Sequence, residues 1–162
     1  MKKAGVAAEE RRVVAPALKR EEETGLPCAA MELPDGRIVT GKTSDLLGPT
    51  SAALLNALKV LAGIPPSVKI ITPEAIAPIQ KLKTTYLGGK NPRLHTDEVL
   101  IALSTSAATD PNAASALEAL PKLRGCQAHS SVMLSQVDIR LMKRIGVQMT
   151  CEPVYENKKI FH

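Results

Sequence analysis

Residues 28–43 read CAAMELPDGRIVTGKT, and two incompatible structures compete for them. From Gly36 to Thr43 the letters match the phosphate-loop pattern G-x-x-x-x-G-K-[ST]. A phosphate loop leaves a buried strand, turns backbone N–H groups toward phosphate oxygens and enters a helix at once. Here the residues between the glycines are Arg37, Ile38, Val39 and Thr40, the last three β-branched and strand-forming. Asp35-Gly36 is a strong two-residue hairpin turn, of the type I′ kind, between two short runs. After Thr43 comes SDLLG, which does not open a helix, and no strand ending in Asp offers a magnesium ligand. The stretch is therefore expected to be a β-hairpin, with Gly36–Thr43 its second strand and the phosphate-loop match a coincidence of letters.

Working outward, AAEERRVVAPALKREEETG (7–25) is a helical pattern with Val13, Val14, Ala17 and Leu18 on its apolar face and Gly25 at its end. Pro16 is expected to kink or split it. GPTSAALLNALKVLAGI (48–64) is a helix with Leu54, Leu55, Leu58 and Leu61 inward. SVKIIT (67–72) is expected to be a short buried strand. Thr72-Pro73-Glu74 opens the next helix, with a cap, a proline in the first turn and an acid at the positive dipole end. LHTDEVLIALSTSAA (94–108) is expected to start on Thr96 as its cap, with Asp97 and Glu98 in the first turn. Asp110-Pro111 starts another helix. CQAHSSVML (126–134) is a strand, Ser135–Asp138 caps QVDIRLMKRIG, and VQMTCEPVY (147–155) is the last good strand, with the tail ENKKIFH an edge strand or frayed. This alternation specifies an α/β fold: a layered α-β-α domain with a mixed sheet, over 26–162, preceded by a helical segment, 1–25.

The 162 residues are 44% hydrophobic and 23% charged, enough for a core. Aromatics are 2%, so the stacking platform of a single-strand nucleic-acid binder is missing. The net charge of +5 is spread along the chain without a basic stripe, which argues against nucleic acid. Cys28, Cys126 and Cys151 are odd in number and far apart, pointing to reduced thiols in the cytoplasm rather than disulfides or structural zinc. The basic first residues run into AGVAAEERR instead of an apolar segment, so no signal peptide is expected, and no apolar run reaches the length of a membrane span. No partner in nucleic acid or membrane is expected.

No complete catalytic constellation stands out. His95 lacks the second histidine of a zinc-peptidase motif, no metal site is indicated, and no cofactor is evident. Strand alternation sends Cys126 and His129 to opposite faces, against a catalytic pair. His129 is a hydrogen-bonded strand residue or an acid/base group. The densest polar cluster is NPRLHTDE, holding Asn91, Arg93, His95, Asp97 and Glu98; it is either a capped helix start or a segment that contacts a ligand or partner. Lys42, Thr43, Arg93 and His95 are the candidate anion contacts, should their two loops meet in space.

Residues 32–59 (ELPDGRIVTGKTSDLLGPTSAALLNALK), 78–138 (PIQKLKTTYLGG through LSQVD) and 151–162 (CEPVYENKKIFH) together closely resemble the carboxy-terminal region of the bacterial family called domain of unknown function 1846. Members are normally much longer, so the resemblance implies a carboxy-terminal portion whose segment 1–25 joins an upstream domain, and the family's own glycine-rich segment lies upstream. Some members carry the label ATP-dependent peptidase, which no residue in this chain supports. The resemblance also suggests a cytidine-deaminase-like arrangement without its zinc site: Pro49-Thr50-Ser51 and Thr72–Ile76 stand where such enzymes place imidazole and thiolate ligands. Two functions remain open: a non-catalytic module for packing against an upstream domain or for self-association, and a nucleotide- or anion-binding part of an enzyme completed upstream.

Overall fold

The hairpin forms one half of the sheet. The structure, a computed structural model, describes residues 12–154. Strands β1 (Cys28–Glu32) and β2 (Ile38–Lys42) pair antiparallel, with Met31 opposite Val39 and Ala29 opposite Gly41. Their turn differs from the two-residue form. Leu33 N–H donates to Arg37 O (2.7 Å) and Gly36 N–H donates to Leu33 O (2.9 Å), so the loop is Pro34-Asp35-Gly36. A type I′ turn needs positive φ at both central residues, and only Gly36 has it, at 91°. Pro34 instead takes the first central position of an ordinary turn, where its fixed φ fits, and Gly36 supplies the left-handed residue that restores register.

Strand β3 (Gln127–Ser130) pairs antiparallel with the other edge of β1, and β4 (Gln148–Cys151) runs parallel to β3, giving the order β2-β1-β3-β4. Helices α1 (Val14–Thr24), α2 (Pro49–Leu61), α3 (Pro73–Lys81), α4 (Thr96–Ala107), α5 (Pro111–Glu118) and α6 (Gln136–Ile145) complete the described residues as an α/β domain on a mixed sheet. Alternation along β1 separates two layers. Met31 joins Leu54, Leu58, Leu103, Ala128 and Met142 in the main core, whereas Ala30 meets Val13 and Ala17 beneath α1 on the opposite face.

Gly41, the second glycine of the phosphate-loop match, has a packing reason. A Cβ there would lie 2.1 Å from Ala53 N and 2.5 Å from Ala52 C, inside the backbone of α2. The helix therefore rests directly on β2.

Three expectations are corrected. Pro16 does not kink α1; the helix begins at Val14, so Pro16 sits in the first turn, where its N–H would have no partner anyway. Leu18 faces solvent at 38% exposure. Residues 67–72 form no strand: Ile70 and Ile71 are buried as a two-residue anchor, while Pro66 and Pro73, which cannot donate to a ladder, bracket the segment. The start of the first helical pattern, 7–11, and the tail 156–162 lie outside the described residues. Among the described residues, no helix is long and apolar enough to cross a membrane.

Candidate functional site

Two loops that sequence reading linked only conditionally are joined by backbone hydrogen bonds. Leu94 N–H donates to Leu46 O (2.9 Å), Gly48 N–H donates to Leu94 O (3.3 Å), and Leu47 and Leu94 form an isolated parallel bridge. Arg93 Nε donates to Ser44 O, and Ser51 Oγ donates to Leu94 O at 2.9 Å. The starts of α2 and α4 are thereby strapped together. The start of α6 is tied to them through Asp138, whose Oδ1 accepts from Thr96 N–H (3.0 Å) and Thr96 Oγ1 (2.7 Å).

These three helix starts surround a cleft of about 340 Å³ beyond the end of β3. Asn91, Arg93 and His95 line it together with Gly48-Pro49-Thr50, the apolar run Val132-Met133-Leu134 and Asp138. The three helix starts differ electrically. The first-turn acids Asp97 and Glu98 stand at the positive end of α4, and Ser135 Oγ accepts from Asp138 N–H at 3.2 Å in α6. The start of α2 has Gly48 as its cap residue, no side-chain cap bond, and Pro49 without an N–H. Its partial positive charge therefore faces the cleft without an acid of its own helix.

The cap of α4 is one residue earlier than expected. His95 is the cap residue, and its N–H donates to Glu98 Oε1 at 2.8 Å. Thr96 is the first helical residue, fully buried, because its N–H and hydroxyl are taken by Asp138. Lys83 Nζ reaches Glu98 Oε1 at 2.8 Å and also donates to Arg93 O, while His95 Nδ1 lies 3.4 Å from the same carboxylate. Burial pushes the Glu98 carboxyl up, but the bonds from Lys83 and the His95 N–H outweigh it, and the net shift is downward.

The candidate residues divide accordingly. Arg93, His95 and Asn91 line the cleft, and Asn91 Oδ1 accepts from Arg93 N–H at 3.0 Å. Glu98 stands behind His95, and Asp97 lies on the α4–α6 surface with Arg140 and Arg144. Lys42 is an exposed β2 residue, and neither it nor Thr43 belongs to the cleft lining. Thr43 is buried; its N–H donates to Pro27 O and its hydroxyl to Leu47 O, closing the turn after β2. His129 lies on the α1 face, 1% exposed, with Nδ1 2.7 Å from Thr150 Oγ1 and Nε2 2.7 Å from Glu152 Oε2. Cys126 belongs to the opposite, main core. Burial pushes the Cys28 and Cys126 thiols up, away from nucleophilic thiolate. Among the described residues, no group of three His, Cys, Asp or Glu could hold a metal ion.

Sequence reading missed Asp138 and the 132–134 run. Asp138 carried a signal, the S-x-x-D start of α6, but its partner Thr96 lies 42 residues away.

Residues 9–161 match the family described as "Domain of unknown function DUF1846, C-terminal". The chain is 57% identical over 161 residues to the UPF0371 protein of Corynebacterium efficiens, covering 99% of this chain and 32% of that protein. It is 55% identical over 161 residues to the relative from Corynebacterium diphtheriae, with the same coverage of both. A UPF0371 protein of Streptococcus thermophilus is 47% identical over 157 residues, 97% of this chain and 32% of the relative. The chain thus spans about a third of the length of these relatives.

Proposed function

The chain belongs to the DUF1846 family, as its carboxy-terminal domain, and from that premise we propose that this domain is the anion-binding part of a larger protein. One observation carries the reading: the loops 44–48 and 91–95 are hydrogen-bonded together, so that Arg93, His95 and Asn91 share one cleft with the α2 start. A guanidinium and a helix start beside it make up complementary, preorganised positive potential, which is what an oxyanion requires. Asp138 lines the same cleft, and its charge disfavours an anion placed against it. The mononucleotide or other anion of a full-length relative would enter here, and the remaining two thirds of such a protein would supply whatever chemistry follows. Calorimetric titration with inorganic phosphate tests the reading. Binding is expected to weaken at least tenfold in Arg93→Ala and to persist in Lys42→Ala. No heat and no thermal shift from phosphate would remove the proposal, as would a loss of binding in Lys42→Ala alone.

A second reading, packing on an upstream domain or self-association, draws on a separate observation. Leu82, Tyr86 and Leu87, in the π-helical turn that extends α3 and just after it, are 50%, 66% and 72% exposed. Sedimentation at several concentrations decides on self-association; a monomer throughout would count against it. The three free thiols lead us to place the protein in the reducing cytoplasm.

A further inference from the structure

We infer that the occupant of the cleft is a phosphate monoester with an apolar, ring-bearing body and no second charged group. The inference rests on the anion-binding reading and adds the body to the anion.

The lining of the cleft combines one cationic side chain with a contiguous apolar run. At about 340 Å³ the cleft is far larger than one oxyanion fills. Among the lining residues only Arg93, beside the α2 start, carries a fixed positive charge. The lining also includes the contiguous apolar run Val132-Met133-Leu134, with Pro49 and Leu94. Met133 is a large apolar side chain left 38% exposed. Its segment is held in place: Met133 N–H donates to Val154 O at 2.7 Å, and Val132 N–H donates to Ser130 Oγ at 3.2 Å. A bare phosphate at Arg93 would leave this run facing water. A ring joined to the phosphate would cover it, and a thioether adapts to a ring face or edge. The third element is Asp138. Its carboxylate lines the cleft, so a second negative group on the occupant meets repulsion there. That charge pattern disfavours diphosphates and triphosphates and favours one phosphate on a neutral body.

The test titrates the 162-residue chain with inorganic phosphate, phenyl phosphate and pyrophosphate, and repeats the first two with Met133→Ser. Phenyl phosphate is expected to bind at least tenfold tighter than inorganic phosphate, and pyrophosphate no tighter than inorganic phosphate. Met133→Ser, an exposed position, is expected to erase the phenyl advantage while leaving phosphate affinity within twofold. Equal affinity for phosphate and phenyl phosphate overturns this inference and leaves the anion site standing. Pyrophosphate as the tightest ligand, or a phenyl advantage that survives Met133→Ser, also overturns it. No binding by any of the three removes both the inference and the reading beneath it.

Discussion

Replacing Gly41 with alanine adds one methyl group at the place where α2 touches β2. The new Cβ would stand 2.1 Å from Ala53 N, 2.5 Å from Ala52 C and 2.6 Å from Ala53 Cα. All three are backbone atoms, so no rotamer change relieves the overlap. Restoring ordinary contact near 3.5 Å requires a displacement of about 1.4 Å. Moving α2 by that much pulls Leu54 and Leu58, both fully buried, away from the core they fill. Radial gaps of 0.5–1 Å already forfeit a quarter to a half of each dispersion contact. Overpacking typically costs 1–3 kcal/mol, and a backbone-on-backbone clash belongs at about 3 kcal/mol or above that range. For a domain of this size roughly 3 kcal/mol corresponds to a fall in melting temperature of about 6–12 °C. Urea denaturation and thermal unfolding of Gly41→Ala beside Lys42→Ala read the difference directly. The lysine is exposed, and its truncation should stay within about 0.5 kcal/mol. If Gly41→Ala also stays within 0.5 kcal/mol, the packing account of this glycine is wrong. If instead Gly41→Ala folds normally but magnesium-ATP stabilises only the wild type, the phosphate-loop reading returns.

Gly36→Val places a β-branched residue at φ 91° and should cost about 1–2 kcal/mol in urea, with Gly36→Asn milder. Asp138→Ala strands the buried Thr96 N–H and hydroxyl and should cost about 3 kcal/mol, whereas Asp138→Asn keeps an acceptor and should cost about 1 kcal/mol. Asp138→Asn should also bind inorganic phosphate several-fold tighter than wild type, read by calorimetry, because it removes the negative charge from the lining. Glu98 has a folded pKa below its ordinary value of 4.5, so its contribution is complete above 4.5 and lost as pH falls through the lower folded value. The stability gap between wild type and Glu98→Gln, measured by urea at pH 7 and again near pH 3, should therefore narrow in acid.

The hairpin was legible because two local signals agreed: the Asp35-Gly36 pair and the β-branched run Ile38-Val39-Thr40. The form of its turn was not, because the fixed φ of Pro34 moves the turn one residue back. The segment 67–72 misled for another reason. A short apolar run looks the same whether it pairs in a ladder or sinks two side chains, and β1 already has partners on both edges. Caps written within four residues were found at Thr72, Asp110 and Ser135. The α4 cap was misplaced by one residue because Thr96, the more usual capping type, is claimed by Asp138 from another helix. At the site, polar density alone picked out Asn91, Arg93 and His95. Lys42 and Thr43 entered through a motif whose letters serve a strand, and they stand apart from the cleft. Its apolar run, 132–134, follows the end of β3, and only the tertiary fold brings it into one cleft with Arg93.

The central strand also dictates when this domain can exist during synthesis. One edge of β1 is satisfied by β2 almost at once, but the other waits for β3. The 94 residues between Glu32 and Gln127 must be made first. At 5–20 residues per second that interval lasts roughly 5–20 s. Throughout it, Ala29, Ala30 and Met31, all completely enclosed in the finished molecule, belong to a hairpin with an open edge. The ribosome must release Gln127–Ser130 before the sheet can close, so the free edge of β1 stays unpaired throughout that interval.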